Sequence, residues 1–240
     1  MRKLILTFAI GDDFTQLARL THPYWQHYAA RVGADFLSIT EAVEHPEDPR
    51  LEKCRAIQLA AGYNRVLLAD TDMVVRPDTP DLFALVPRGH VGALDEGRLH
   101  TPELLAGTRE DVANTARAFG RPVPTYAPDD VTYVNTGLVL LDTTDLWLFQ
   151  PYTPRVAPGG LGLADQSIFN LRMRERPVRL FFLPICFNAM LAHERPGWQE
   201  CEFIPHWSGW GTDGRPRLPA VRALLEEWQL RFPGVVCLPS

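Results

Sequence analysis

Three apolar runs near the N-terminus, KLILTFAI (residues 3–10), DFLSIT (35–40) and NRVLLAD (64–70), are separated by two stretches that read as helices. Strand, helix, strand, helix, strand in that order commits the chain to an α/β fold. Parallel neighbours cannot be joined by a tight turn, so the helices must cross over and pack on both faces of the sheet. The first helical stretch runs through FTQLARL and YWQHYAARV, and Pro23 between them is expected to break or kink it. The second, RLEKCRAIQLAAG (50–62), closes on Gly62. HVGALD and YVNTGLVLLD supply further strands, ADQSIFNLRMRER a helix, VRLFFLP and CEFIPHW late strands, and LPAVRALLEEWQL a final helix. The 240 residues carry no internal repeat, charge block or low-complexity linker, so one domain spanning 1–240 is expected.

The third strand ends unusually, in VLLADTDMVV (66–75). In an extended chain Asp70 and Asp72 share a face and Thr71 points the opposite way. Two carboxylates so close repel unless something positive lies between them, and a divalent cation is the usual partner. Ligands of open α/β sheets bind beyond the carboxyl ends of the strands, where this pair falls. The plainer reading is that Asp70 ends a strand and Asp72 shapes a turn. A third reading is a phosphatase, since DTDMVV also fits a DxDx[TV] phospho-aspartate pattern. Such a motif belongs on a first strand, and no later strand ends in an acidic pair with an upstream lysine.

Composition narrows the partners. A net charge of -5 argues against a nucleic-acid surface, which needs clustered basic charge. The four cysteines, Cys54, Cys186, Cys201 and Cys237, form no CxxC pair, so no zinc knuckle is suggested; a reducing cytoplasm is the simplest compartment, with two disulfides as the alternative. No apolar run is long enough to span a bilayer, so any membrane contact would be peripheral. GLGLAD (160–165) lacks the third glycine and the preceding strand of a dinucleotide-binding turn. Neither a Walker phosphate loop nor GxSxG occurs. Two loops rich in proline or glycine, 121–130 and 150–162, have the length and composition of substrate loops or of plain surface excursions.

The block RLEKCRAIQLAAGYNRVLLADTDMVVRPDTPDLF resembles the centre of retaining, GT-A-fold glycosyltransferases related to glycogenin and the bacterial lipooligosaccharide galactosyltransferases. There a lysine-bearing helix precedes "vlylDaD", a polar spacer and "dLF". In the same order, VGALDEG resembles the acidic strand that follows, YVNTGLVLLD an "fNaGvmlin" strand, ADQSIFN a "DQdalN" helix start, and PHWSGW the opening of "HFxGxxKPW". PYWQHYAARVGADF is similar to a "YAxxhGydf" segment of other GT-A families. The blocks run from about residue 3 to 216. The implied fold is a single Rossmann-like nucleotide-diphospho-sugar transferase domain with a mixed, mostly parallel sheet.

The resemblance implies a hexosyltransferase that uses a nucleotide sugar, most simply UDP-linked, and a glycan, lipid or protein acceptor. It places a metal on Asp70, Asp72 and His206; alone, His206 would be an ordinary strand histidine. A mixed oxygen and nitrogen set suits Mn²⁺ better than Mg²⁺, the second choice. Donor contacts are implied at Thr7, Ala9, Asp12, Lys53, Asp70, Thr71, Asp95, Asn135 and Arg215. For Lys53 the neighbouring Arg55 is an equal candidate, and either could be only a solvated helix residue. Asp12 could be merely solvated, and the NTG at Asn135 merely a turn. Arg215 is offered because the lysine of "KPW" falls at Thr212. Asp165 and Gln166 are implied beside the reacting carbon, although Asp165 also suits a helix N-cap. Trp207 and Trp210 could close over the donor or pack in the core. Two alternatives stand beside this: a metal-dependent phosphatase or nucleotidyltransferase, and a non-catalytic nucleotide-sugar or glycan-binding module of the same fold.

Overall fold

In the computed structural model, which describes residues 1–152, 164–190, 202–209 and 216–234, six strands form one twisted sheet. They are β1 (Lys3–Phe8), β2 (Asp35–Ile39), β3 (Arg65–Ala69), β4 (Val91–Asp95), β5 (Val134–Asp142) and β6 (Leu180–Phe182). Their order across the sheet is β2-β1-β3-β5-β4-β6. The pairs β2/β1, β1/β3 and β4/β6 are parallel, and β5 runs antiparallel to both β3 and β4. The sheet is therefore mixed and mostly parallel, as expected.

Alternation along the strands splits the core between the two faces. Ile5, Leu67, Leu138 and Leu140 pack with helix α1 (Asp12–Val32) and helix α6 (Arg217–Arg231). Leu4, Leu6, Val66, Leu68, Val139 and Leu141 pack on the opposite side with Phe149 and Phe169. The apolar pattern of the strands thus buries both faces, as it must when helices cover each. At the end of β3 remote from Asp70, the buried Arg65 reaches Asp142 across the β3/β5 pair, with Nε 3.0 Å from Oδ1. Its Nη1 donates to the carbonyls of Phe83 and Val86, tying down the short α3 (Leu82–Leu85).

Pro23 does not break α1, which is continuous over 21 residues. The helix is held from both sides of the proline by Leu17, Leu20, Tyr24, Trp25 and Tyr28, all buried, so tertiary packing offsets the lost backbone hydrogen bond. Residues 50–62 also depart from expectation. A 3-10 segment over Pro49–Arg55 passes into the single turn of α2 (Ala56–Leu59), well short of Gly62. Glu52 explains the tighter winding at the start: its carboxylate accepts from the backbone N–H groups of Val43 and His45 and from Arg55, fastening this turn to the preceding loop. Helix α4 (Pro102–Ala118) stands outside the expected elements, although Thr101 caps it and Pro102 occupies its first turn. Helix α5 (Ala164–Glu175) falls where ADQSIFN opens.

The late strands are short. β7 (Ala189–Met190) pairs with β8 (Pro205–His206), which is all of CEFIPHW that is extended among the described residues. Beside β8 the chain returns to the DxD loop. Val74 N–H donates to Pro205 O, Arg76 N–H to Phe203 O, and Trp207 N–H to Asp72 O, with Met73 bridging His206.

Candidate active site

Beyond the carboxyl ends of β1 and β3 and the amino end of the antiparallel β5 lies a cleft of about 230 Å³. Its floor is the DxD segment, which is not an extended strand. β3 ends at Ala69, and Met73 N–H closes a turn on Asp70 O at 3.2 Å. Three side chains pin that turn, two from helix α1 and one from the turn itself. Thr21 Oγ1 donates to Thr71 O, Trp25 Nε1 donates to Met73 O, and Thr71 Oγ1 donates to Phe8 O. Asp70 and Asp72 still come together, through a turn instead of a pleat.

His206 completes the group. One ligand atom from each of Asp70, Asp72 and His206 lies within 4.8 Å of the other two, a donor set able to hold a cation. His206 Nε2 is 3.4 Å from Asp72 Oδ1 and makes no hydrogen bond among the described residues. A buried ring nitrogen with no hydrogen bond and beside two carboxylates suits the histidine of a cation site. The residues present therefore fit a divalent metal.

The positive charge beside the carboxylates comes first from the protein. Lys53 Nζ lies 2.8 Å from Asp70 Oδ1 and 2.8 Å from Asp165 Oδ2, and donates to Thr136 O at 3.1 Å. These three contacts account for all the donors of an ammonium group. Arg55 turns away to Glu52 and Glu41 O, so of the two basic candidates only Lys53 lines the cleft. Arg217 Nη2 is 3.5 Å from Asp72 Oδ2. Arg215 and Trp210 lie outside the described residues, as does most of loop 150–162.

Burial sets the titration of the cluster, and the charges correct it. Burial pushes the Asp70 carboxyl up, and the Asp72 charge adds to this against the pull of Lys53. Burial works on Asp72 in the same direction, but His206 and Arg217 outweigh it and hold the group below the usual range. For Lys53 and His206 burial opposes the charged form, yet Asp165 and Asp70 raise the lysine and Asp72 raises the imidazole.

Asp165 sits inside the first turn of α5 and is not its N-cap; its carboxylate is held by Lys53 and by Thr136 Oγ1 at 3.0 Å. Gln166 is fixed at both ends of its amide: Oε1 accepts from Thr136 N–H and Nε2 donates to Glu96 Oε2, each at 3.1 Å. Asn135 also donates to Glu96 Oε2. Glu96 thus faces the site residues, whereas both oxygens of Asp95 are taken, by Tyr133 N–H and Arg98 Nε.

Lys53, Asp70, Thr71, Asp72, Asn135, Asp165, Gln166 and His206 all line one cleft. Thr7, Ala9, Asp12 and Asp95 do not. Thr7 and Ala9 are buried in and after β1, with Thr7 Oγ1 3.1 Å from Thr71 Oγ1, and Asp12 is exposed in the first turn of α1. Trp207 packs in the core. The cleft adds Arg50, Phe14 and Ser208, and its surroundings add Glu96 and Arg217. Arg50 and Ser208 lie within the quoted blocks RLEKC and PHWSGW, Glu96 is next to a singled-out aspartate and Arg217 is two residues from Arg215, whereas Phe14 had no signal of its own. The proline-rich loop 121–130 lies away from the cleft, pinned by Arg109 and Arg174 over the Tyr126 ring.

No protein-family model and no curated protein sequence matches the chain. Solved structures do. A glycosyltransferase involved in glycosylation of the major capsid of PBCV-1 superposes with a TM-score of 0.59 at 14% identity, covering 93% of this chain and 100% of its own. The galactosyltransferase LgtC, in complex with donor and acceptor sugar analogues, gives 0.51 at 14% identity over 95% and 100%. The bifunctional glycosyltransferase WbbM gives 0.54 at 13% identity, covering 87% of this chain and 46% of its own. At this identity the likeness is one of fold. The chain has the GT-A glycosyltransferase fold.

Proposed function

We propose that the chain is a metal-dependent glycosyltransferase that moves a hexose from a nucleotide sugar, UDP-linked by preference, to a glycan, lipid or protein acceptor, with retention. The observation that carries this reading is the convergence of Asp70, Asp72 and His206 in the same cleft as Asp165 and Gln166, at the carboxyl ends of β1 and β3 in a GT-A fold. Mn²⁺ is the preferred ion and Mg²⁺ the second. Bound there, it would act as a Lewis acid that neutralises the departing diphosphate.

The remaining work falls to the chain itself. Lys53 bridges Asp70 and Asp165 through one ammonium group, which holds Asp165 in the cleft for a donor-sugar hydroxyl. Gln166 has its amide oxygen already engaged by a backbone N–H. An amide oxygen so held is a poor nucleophile, which favours attack from the donor's own leaving-group face, with the leaving phosphate taking the acceptor's proton. The base and ribose are assigned to the end of β1, at Thr7, Ala9 and Asp12, and the sugar to Asp95 and Asn135. Thr71 is assigned to the donor site with the DxD, and the diphosphate to Arg215. The whole chain is taken to act as one domain in the cytoplasm. Among the described residues no helix is long and apolar enough to cross a membrane.

The test is a thermal-shift panel of nucleoside diphosphates, each with and without Mn²⁺. Ligand at about 100 times its dissociation constant adds ~2.7 kcal/mol, worth roughly 5 to 10 °C in a domain of this size. A shift that needs both UDP and Mn²⁺ is expected. A shift with another nucleotide would keep the reaction and replace the donor, and no shift with any pair would remove the reading.

A further inference from the structure

His206 has two ring nitrogens and only one can face a cation with its lone pair, so something must hold the ring proton on the other. Nδ1 lies 2.8 Å from Asn188 Oδ1, and Asn188 Nδ2 lies 2.9 Å from Asn135 Oδ1. Amide oxygens and nitrogens look alike in shape, so the direction of such a chain has to be fixed by a group that cannot turn round. Gly137 is that group. Its backbone N–H, which can only donate, points at Asn135 Oδ1 at 2.9 Å. At the other end of the same amide, Asn135 Nδ2 meets Glu96 Oε2 at 3.1 Å, a carboxylate that also accepts from Gln166 Nε2.

Each link then follows from the one before. Asn135 must present its oxygen to Gly137, so the Asn188 atom beside that oxygen must be the NH₂. The other end of Asn188 is therefore its carbonyl, which can only accept. His206 Nδ1 must carry a proton, and Nε2 keeps its lone pair beside Asp70 and Asp72. The arrangement works against a local preference, because Asp72 Oδ1 at 3.4 Å from Nε2 would by itself draw the proton to that nitrogen. Asn188, Asn135 and His206 are all buried, which keeps water from substituting for any link.

We infer that Asn188 is a positioning residue of the metal site, holding His206 in the Nδ1–H form and thereby freeing Nε2 as a ligand, with its own orientation set through Asn135 by the Gly137 N–H. The inference rests on the metal reading above, and its test separates the two. Ring nitrogen NMR of ¹⁵N-histidine-labelled full chain, with His206 assigned by a His206→Gln control, reads the tautomer without any metal. Titration with Mn²⁺ alone, followed by the electron paramagnetic resonance of the free ion, reads affinity.

At a pH where the ring is neutral, the wild type is expected to show a protonated Nδ1 and a bare Nε2. Asn188→Leu, close in volume but with no acceptor, should move the proton to Nε2 and weaken Mn²⁺ binding at least about 10-fold, the usual cost of losing a ligand's orienting partner. Asn188→Asp keeps an acceptor for Nδ1 and should keep the wild-type tautomer, which covers the case in which the leucine variant does not fold. A wild-type ring protonated on Nε2, or an Asn188→Leu chain with unchanged tautomer and Mn²⁺ affinity, overturns the inference. A wild type with the expected tautomer and no Mn²⁺ uptake overturns the metal reading and leaves the tautomer assignment standing.

Discussion

Gly137 and His206 approach so closely that a β-carbon on the glycine would fall 2.5 Å from the ring's Cε1 and 3.1 Å from Nδ1. The imidazole has nowhere to retreat, being buried between Asn188 and Asp72. Gly137→Ala must therefore displace the ring or bend β5. We expect metal-dependent nucleotide binding to weaken at least about 10-fold. Overpacking should also cost about 1–3 kcal/mol of stability without ligand. Calorimetric titration of UDP with and without Mn²⁺, together with a melt, reads both.

Asp72→Ala should abolish metal-dependent nucleotide binding in a chain that still folds, because Asp72 sits on a turn whose backbone is held by Thr21, Trp25 and Thr71. Unchanged affinity in that variant would remove the metal assignment. Phosphate release from simple phosphate esters that survives Asp72→Ala and disappears in Asp70→Asn would instead favour the phosphatase.

Lys53→Met tests the hub of the cleft. Its loss leaves the part-buried Asp70 and Asp165 facing each other without a counter-charge, at a cost of up to the about 3–5 kcal/mol of a fully buried pair. In a domain of this size that is a fall in Tm of roughly 6 to 20 °C. The melt should recover in part when protonation neutralises the carboxylates, so the deficit should be smaller at pH 5 than at pH 8. An equal deficit at both values would show that the lysine acts through packing alone.

Gln166→Glu should be tolerated at low pH and destabilising at high pH. The new carboxylate would replace the donor that now meets Glu96 Oε2 at 3.1 Å. Two carboxylates at that distance share one proton, and losing it costs stability. Melts across pH 5 to 8 should show a steeper fall with rising pH than the wild type's own.

Glu202 gives a pH dependence of its own. Burial raises its carboxyl to about 8 despite the nearby Arg76, and Oε1 has no hydrogen-bond partner among the described residues. The folded state therefore keeps a proton that the unfolded chain has already lost. Stability from this group is intact below the unfolded value near 4.5 and falls as pH rises towards 8. His22, lowered by burial from 6.5 to about 4, has the opposite sign and acts only over that lower interval. Above 6.5 His22 no longer contributes. Glu202 acts there in the same direction as His206, whose raised imidazole also loses stability with rising pH, so the comparison of wild type with the glutamine variant reads the Glu202 share. Glu202→Gln should flatten the fall in Tm there and raise the melting temperature at pH 8; parallel curves for the two proteins would contradict this.

The sequence carried the sheet because its signals are local. Apolar runs such as VLLA and GLVLL sit on both faces of a buried strand and need no long-range knowledge to be recognised. Pro23 misled because the packing that holds α1 straight comes from residues distant in the chain, among them Met73, whose carbonyl receives Trp25 Nε1. The DxD and PHW were legible as motifs, yet the pairing of Asp70 and Asp72 through a turn was not. That turn depends on Thr21, Trp25 and Phe8 O. The Asn135–Asn188–His206 chain was invisible for the same reason. Asn188 belongs to no motif, and only the parallel pairing of β7 with β8 brings it beside the ring.

Residues 72–76 and 203–207 exchange backbone hydrogen bonds, so Asp72 and His206 hang on the two edges of one ribbon. Their spacing is thus dictated by the ladder between them and owes nothing to the long excursion of chain that separates them. Whatever happens to the intervening sequence, the third ligand keeps its distance from the second as a rung keeps its distance from the next rail. The site can therefore tolerate drift elsewhere in the fold better than a centre whose ligands arrive on independent loops.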